Sequence, residues 1–412
     1  QILNEFQSKI DNTGVIYSRK QGDNFTMSSR NIWRLIIIIV LTLTACTDNP
    51  TEPVVEGTPQ ASEESTQIGS APPEEILEPT TTATSLPPTA TPEPPPFTQY
   101  TLSVNLDYDN HNLVVNEQIA YVNRFESPLS NLLQLLEPNR YPGGFQLTTM
   151  GWADEQEITD YTFEGAELII PLSEPLQPSE SLGLSLTYEL NLPQQNAPYG
   201  YSERQTNLSD WYPYVPPYVP GAGWLVREPS FPGEHLAYDT ADFVVDIQLT
   251  NSNSANGLPL TIAASALDKG NEDQHIYRLE AARNFAWSVS DQYQVLTTKV
   301  GNVQVLGYSF PYHSASDEPA LQTTADALAL YSDLFGPYPH ESLSVVEADF
   351  LNGMEYEGLN FLSHAFYDYY TGTPENNLII IAAHEVAHQW FYGQVGNDQA
   401  LEPWLDEALC TY

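Results

Sequence analysis

Leu378-Ile379-Ile380-Ile381-Ala382-Ala383-His384-Glu385-Val386-Ala387-His388 is the stretch on which the reading turns. Its first six residues are apolar nearly all round, which suits a helix enclosed in a domain core. Thr373-Pro374-Glu375 supplies a start, because Thr can cap exposed amides and proline in the first turn has no amide hydrogen to lose. Gly393 can end the helix after Tyr392. Histidines four residues apart stand one turn above each other on the same face, so both imidazoles can hold one metal ion. Glu385 is then placed beside the open coordination position.

A zinc ion in a hydrolase takes three protein ligands and keeps one position for water, so a third ligand is required. Glu407, in Trp404-Leu405-Asp406-Glu407-Ala408, follows on the next predicted helix, which begins at Pro403. A helix, a loop and an antiparallel helix can return its carboxylate to the ion. One Zn2+ per chain is the cofactor expected. The second helix carries Trp404, Leu405, Ala408, Leu409 and Tyr412 on one apolar face. Thr411 is a candidate hydrogen-bond donor behind the ligands, and Cys410 reads as a small core residue.

Upstream of this pair, Ala320 to Phe335 has helical spacing and is closed by Gly336-Pro337, and Leu343 to Ala348 reads as a strand. Before residue 318 the pattern is alternation instead. Leu102, Val104, Leu106 and Tyr108 share one face; Leu182, Leu184, Leu186, Tyr188, Leu190 and Leu192 share another; Phe243, Val245, Ile247 and Leu249 repeat the signal. Shorter strands fit around Ile169, Ile262, Trp287 and Val303 to Phe310, with Asn110, Pro142-Gly143-Gly144 and Asn256-Gly257 as turns. The fold class is α+β and multidomain: an antiparallel β domain at 98–310, then an incomplete thermolysin-like α/β domain at 311–412. Trp211 to Pro220, aromatics interleaved with prolines and followed by Gly223-Trp224, either lines a peptide cleft or packs as a rigid loop. The spacing leaves both readings open.

His384-Glu385-Val386-Ala387-His388-Gln389-Trp390 together with Trp404-Leu405-Asp406-Glu407-Ala408 resembles the gluzincin signature of the aminopeptidase N family of zinc peptidases. Asn352-Gly353-Met354-Glu355-Tyr356 is similar to that family's G-x-M-E-N motif, with Asn352 in place of the first glycine and Tyr356 in place of the asparagine. The resemblance implies zinc on His384, His388 and Glu407, and Glu385 as the general base that takes a proton from a metal-activated water. It implies that Glu355 binds the free α-amino group of a peptide substrate, while the backbone near Gly353 and Met354 aligns that peptide as an added strand. It also implies a second amine-binding residue from the β domain, which no motif around Trp211 to Trp224 supplies. Relatives place an oxyanion-stabilising tyrosine well beyond the glutamate ligand, so the chain as it stands is expected to have little activity. Two alternatives stay open, a thermolysin-like endopeptidase and a non-catalytic surface binding lipoprotein.

Of 412 residues, 54 are acidic and 13 basic, giving a formal charge of −41, which argues against binding nucleic acid or anionic lipid through charge. With Cys46 and Cys410 as the only cysteines, no disulfide framework is expected. Met27 to Cys46 has the layout of an export signal: Arg30 and Arg34, the apolar run Leu35 to Leu43, then Leu43-Thr44-Ala45-Cys46. That last tetrapeptide resembles the lipobox of bacterial lipoproteins, implying lipidation at Cys46 and an extracytoplasmic, membrane-anchored protein. Residues 1–26 read as upstream translation. Residues 47–97, rich in Thr, Pro and Glu, read as a disordered stalk that cannot bury enough apolar surface to fold.

Overall fold

Thr98–Asp107 alternates buried and exposed residues along nearly its whole length, as a half-buried strand must. In the computed structural model, which describes residues 96–412 apart from 155, 230–233, 252–257, 272–273 and 314, this strand sits in the middle of a six-stranded sheet. One flank pairs antiparallel with Asn112–Val122, followed outward by Ser181–Asn191 and Phe145–Trp152. Its other flank pairs with Ala241–Thr250, and this ladder is parallel, from Thr98 opposite Ala241 to Asp107 opposite Thr250. The domain read as antiparallel therefore contains a parallel pair. The chain between them forms further sheets and returns to the far side of the first strand, a crossover that a parallel ladder needs.

The inward positions of this sheet, among them Leu102, Leu106, Val115, Tyr188, Val245 and Ile247, form one core with Leu132, Leu168 and Ile170 of a three-stranded sheet. Trp211, Tyr212, Tyr214 and Val215 belong to the same core and are almost fully buried, and Trp211 Nε1 donates to the Phe285 carbonyl at 3.0 Å. Of the two readings of that aromatic stretch, the packed loop is the one the structure adopts. Tyr218–Val219 and Gly223–Trp224 close it as a short hairpin.

The second sheet has five strands, in the order Gln294–Val300, Val303–Ser309, Ser342–Ala348, Leu359–Ser363, Gly353–Tyr356. The three inner strands run parallel, and the two outer ones are antiparallel to their neighbours. Alternation identified Val303–Ser309 as a strand but could not say to which sheet it belongs. It and its hairpin partner join the second sheet, so the first two of its strands come from the segment read as β domain. Both faces of this sheet are covered, which explains why Ser342–Ala348 is buried at every position. Leu343 packs with Leu321, Leu328, Val386 and Trp390 of the helical layer, whereas Val346 and Ala348 pack with Ala263 and Ala286 of the preceding β region.

Among the described residues four α-helices accompany this sheet: α1 (Asp317–Phe335), α2 (His364–Asp368), α3 (Asn377–Ala387) and α4 (Glu407–Thr411). Helix α1 ends at Gly336, whose φ of 113° no other residue type adopts readily. Helix α3 starts later than the Thr373-Pro374-Glu375 reading has it. Asn376 is the cap, its side chain accepting from the Leu378 amide at 3.0 Å. It also ends earlier, because Phe391 and Tyr392 leave helical geometry, Tyr392 with φ 145°. Arg283 holds this kink, its Nε donating to the carbonyls of Tyr392 at 2.5 Å and Gly393 at 2.8 Å. A 3-10 turn, Pro403–Leu405, precedes α4, so the helix read from Pro403 is two pieces. Its apolar face is open: Trp404 is 60% exposed, and Ile380 on α3 is 51% exposed. The export signal, Cys46, the stalk up to residue 95 and the Asn256-Gly257 turn lie outside the described residues.

Candidate metal centre

Four residues of α-helix carry His384 one turn ahead of His388, and the two Nε2 atoms stand 3.0 Å apart. The Glu407 carboxylate approaches from α4, its Oε2 3.4 Å from His384 Nε2. One ligand atom from each of the three falls in a single cluster. Tetrahedral zinc with bonds of about 2.0–2.2 Å sets its ligand atoms about 3.3–3.6 Å apart, so the donor set fits the ion in type, the 3.4 Å pair matches its spacing and the 3.0 Å histidine pair is slightly closer than it. The back of each ring is also held. His388 Nδ1 lies 2.6 Å from Asp406 Oδ1, and Gln399 Nε2 donates to the other Asp406 oxygen. Thr411 Oγ1 lies 3.5 Å from His384 Nδ1. A proton fixed on Nδ1 by the carboxylate leaves the Nε2 lone pair of His388 free for a metal.

Three further carboxyls face this cluster. Glu385 is buried, and one of its oxygens, Oε2, has no hydrogen-bond partner. Burial, opposed by the His388 charge, lifts its carboxyl to about 8. Glu355, on the edge strand, is lifted to about 7 by burial, again opposed by His388 and reinforced by Glu385. Glu234 is lifted to about 10 by burial, then by the charge of Glu355 and a hydrogen bond to it. Two carboxyls can share a hydrogen bond only if a proton sits between them. Burial alone would lower His388, but Glu355 and the Asp406 hydrogen bond push it well up. The whole field calls for positive charge, which is what a divalent cation supplies.

Backbone shape explains two residues of the 352–356 motif. A Cβ at Gly353 would stand 1.9 Å from Glu385 Oε1, so glycine is required for the general-base candidate to lie against the strand. Asn352 has φ 71°, the left-handed region that glycine and asparagine tolerate best, which accounts for asparagine where the motif usually has glycine. Gly353–Tyr356 is an edge strand, paired on one side only with Leu359–Ser363. Gly353, Met354 and Glu355 line the same cavity as His384, Glu385 and Glu407.

No family model matches the chain. Over 100 residues it is 34% identical to aminopeptidase M1-D of Oryza sativa subsp. japonica, a stretch that makes up 23% of this chain and 12% of that relative. Among solved structures it is similar to an M1 zinc metallopeptidase from Deinococcus radiodurans, at 19% identity and a TM-score of 0.54, covering 77% of this chain and 69% of that one. The same coverage holds for a two-domain M1 zinc metallopeptidase variant bound to L-arginine, at 20% identity and a TM-score of 0.52.

The fold is that of the M1 zinc metallopeptidases.

Within the M1 fold, the structure brings together every site residue read from the sequence that lies among the described residues: His384, His388, Glu407, Glu385, Glu355, Gly353 and Met354. Cys46 lies outside them. Two site residues escaped the sequence reading. Asp406 was quoted only as a neighbour of Glu407, although a carboxylate beside a ligand is the residue type that steadies a histidine. Glu234 lies on a loop without strand or helix periodicity, so nothing in the pattern sets it apart. Cys410 is a buried free thiol whose Sγ lies 4.0 Å from the Phe391 carbonyl.

Proposed function

We propose that this chain is a zinc-dependent metallopeptidase that removes residues from the amino termini of peptides. His384, His388 and Glu407 would hold the ion, with Asp406 and Thr411 steadying the rings. Zinc, when bound there, would polarise the scissile carbonyl and acidify water at neutral pH. Glu385 accepts a proton at the oxygen that has no partner in the fold, Oε2, and passes it to the leaving amine.

The observation that carries the amino-terminal specificity is the Glu234 and Glu355 pair. The half-buried Glu234 carboxyl and the buried Glu355 carboxyl, with oxygens within 4.8 Å of each other and of Glu407, form a socket beside the metal triad for an ammonium group, which both can accept from. Glu234 comes from the N-terminal part of the fold, the source from which a second amine-binding residue was expected. An internal peptide bond brings no charge to this socket, so an endopeptidase would gain nothing from two carboxyls placed there. The open edge of Gly353–Tyr356 offers backbone groups to the extended substrate.

Zinc titration tests the first half of this reading: one equivalent should bind, and His384→Ala should abolish it. Binding of L-leucine amide and N-acetyl-L-leucine amide to the zinc-loaded protein tests the second. The free amine should bind and the acetylated one should not; equal binding would favour an endopeptidase. We also propose that the chain is exported and tethered to a bacterial membrane through lipid on Cys46, a reading supported by Leu43-Thr44-Ala45-Cys46. Cys46→Ser should then move the protein from the membrane to the soluble fraction, and an unchanged distribution would count against the anchor.

A further inference from the structure

Glu234, Met354 and Glu355 separate two cavities. One holds the metal triad; the other, of about 350 Å3, lies on their β-domain side. A volume of this size is in the range that small ligands occupy. If the amine of a substrate sits between Glu234 and Glu355 while its scissile carbonyl faces the metal triad, its first side chain has the second cavity to enter. Its walls include the phenol rings of Tyr199, Tyr238, Tyr356 and Tyr392, and Arg140 and His235 line it as well.

Among these rings lies Asp210. Its carboxylate accepts from the Tyr238 hydroxyl and, at 3.4 Å, from the Tyr356 hydroxyl. The residue is deep in the fold yet keeps part of its surface open, and it lines the cavity. Among the described residues no cation stands within ion-pair distance of it. The Arg140 guanidinium is taken by Glu137 at 2.9 Å and Glu228 at 3.2 Å, and His235 Nε2 faces Glu137 at 3.4 Å. Burial lifts Asp210 to about 6, against the hydrogen bond from Tyr238. A buried carboxylate served only by neutral hydroxyls is short of positive charge.

We propose that this cavity takes the side chain of the substrate's first residue, and that Asp210 makes it select a long side chain with a positive end, arginine or lysine. The inference rests on the amine-binding role of Glu234 and Glu355. The tyrosine rings offer apolar contact to the stem and a favourable face to the cation, and the carboxylate offers it a charge-assisted hydrogen bond. An acidic side chain would meet the Asp210, Glu234 and Glu355 carboxyls in the same space.

Calorimetric titration of the unaltered, zinc-loaded protein with L-arginine amide, L-citrulline amide and N-acetyl-L-arginine amide tests this. Citrulline has the length and shape of arginine without the charge. Arginine amide should bind at least about tenfold more tightly than citrulline amide, the factor a charge-assisted hydrogen bond supplies. In Asp210→Asn the two should bind within about twofold of each other. Equal binding of arginine and citrulline amides to the unaltered protein, with the acetylated compound excluded, overturns the role of Asp210 and leaves the amine reading standing. Absence of binding by any free amine, or equal binding of the acetylated compound, removes the amine reading and this inference together.

Discussion

Replacing Asp406 by Asn gives a direct measure of how the fold prepares His388 for a metal. Asp406 is 2% exposed and spends one oxygen on His388 Nδ1 at 2.6 Å and the other on the Gln399 amide. An asparagine can serve only one of these two donors, because its own NH2 would face the other. Either the ring proton is left with only the Phe391 carbonyl, 3.2 Å from His388 Nδ1, or the Gln399 amide is left with only Glu234, at 2.5 Å. Loss of such a carboxylate behind a ligating histidine weakens metal binding about 10–100-fold, or about 1.4–2.7 kcal/mol. The effect should appear in a competition titration against a chromophoric chelator, and again in thermal stability. With free zinc at about 100 times the parent's dissociation constant, zinc should stabilise the parent by about 2.7 kcal/mol. The variant should gain only about 1.4 kcal/mol if binding is tenfold weaker and about 0.4 kcal/mol if it is a hundredfold weaker. Zinc affinity within twofold of the parent, in a variant whose metal-free stability is unchanged, would refute the argument that the carboxylate steadies the ring.

Gly353→Ala should cost about 1–3 kcal/mol in denaturant unfolding, because its Cβ would overlap the Glu385 carboxyl, while zinc stoichiometry stays at one; a neutral result would contradict the close contact. Asn352→Gly should be within about 0.5 kcal/mol of the parent and Asn352→Val should cost about 1–2 kcal/mol, as the left-handed backbone at φ 71° requires; equal stability of the two variants would speak against that conformation. Glu117, 1% exposed and hydrogen-bonded by Tyr188 at 3.0 Å, is pushed well above its ordinary value by burial. A raised carboxyl is harmless below the unfolded value and subtracts stability as pH climbs from there toward the folded value. The advantage of Glu117→Gln should therefore grow by about 1.4 kcal/mol per pH unit above 4.5, and a gain equal at pH 5 and pH 7 would exclude a protonated core glutamate. In any preparation that cleaves free-amine peptides, Glu385→Gln should remove turnover and keep one zinc; residual turnover near the parent's would assign the proton transfer elsewhere.

Much of this arrangement could be read from residue order because its causes are local. Alternation along Thr98–Asp107 and Ser181–Asn191, the four-residue spacing of the histidines, and glycine at 336 each act over a few neighbouring residues. What escaped was set at longer range. Pairing of 98–107 with 241–250 depends on where the intervening chain leads, which no alternation encodes. Helix α3 stops short of Tyr392 because Arg283, more than a hundred residues earlier, fastens the chain in a kink. Glu234 matters only because a loop lays it against Glu355. The helical face of Trp404 and Leu409, apolar in the sequence, stays open in the fold described.

Arg283 has one more consequence. Its Nε grips the two carbonyls just past the metal-bearing helix, its Nη1 grips the Tyr238 carbonyl at 3.0 Å, and its own amide donates to Glu357 at 2.9 Å. Tyr238 and Tyr392, both walls of the arginine-sized cavity, thus hang from the same guanidinium that anchors the end of the histidine turn. The gauge that measures a ligand and the bench on which it would be cut share a single bolt, so loosening that bolt shifts both together.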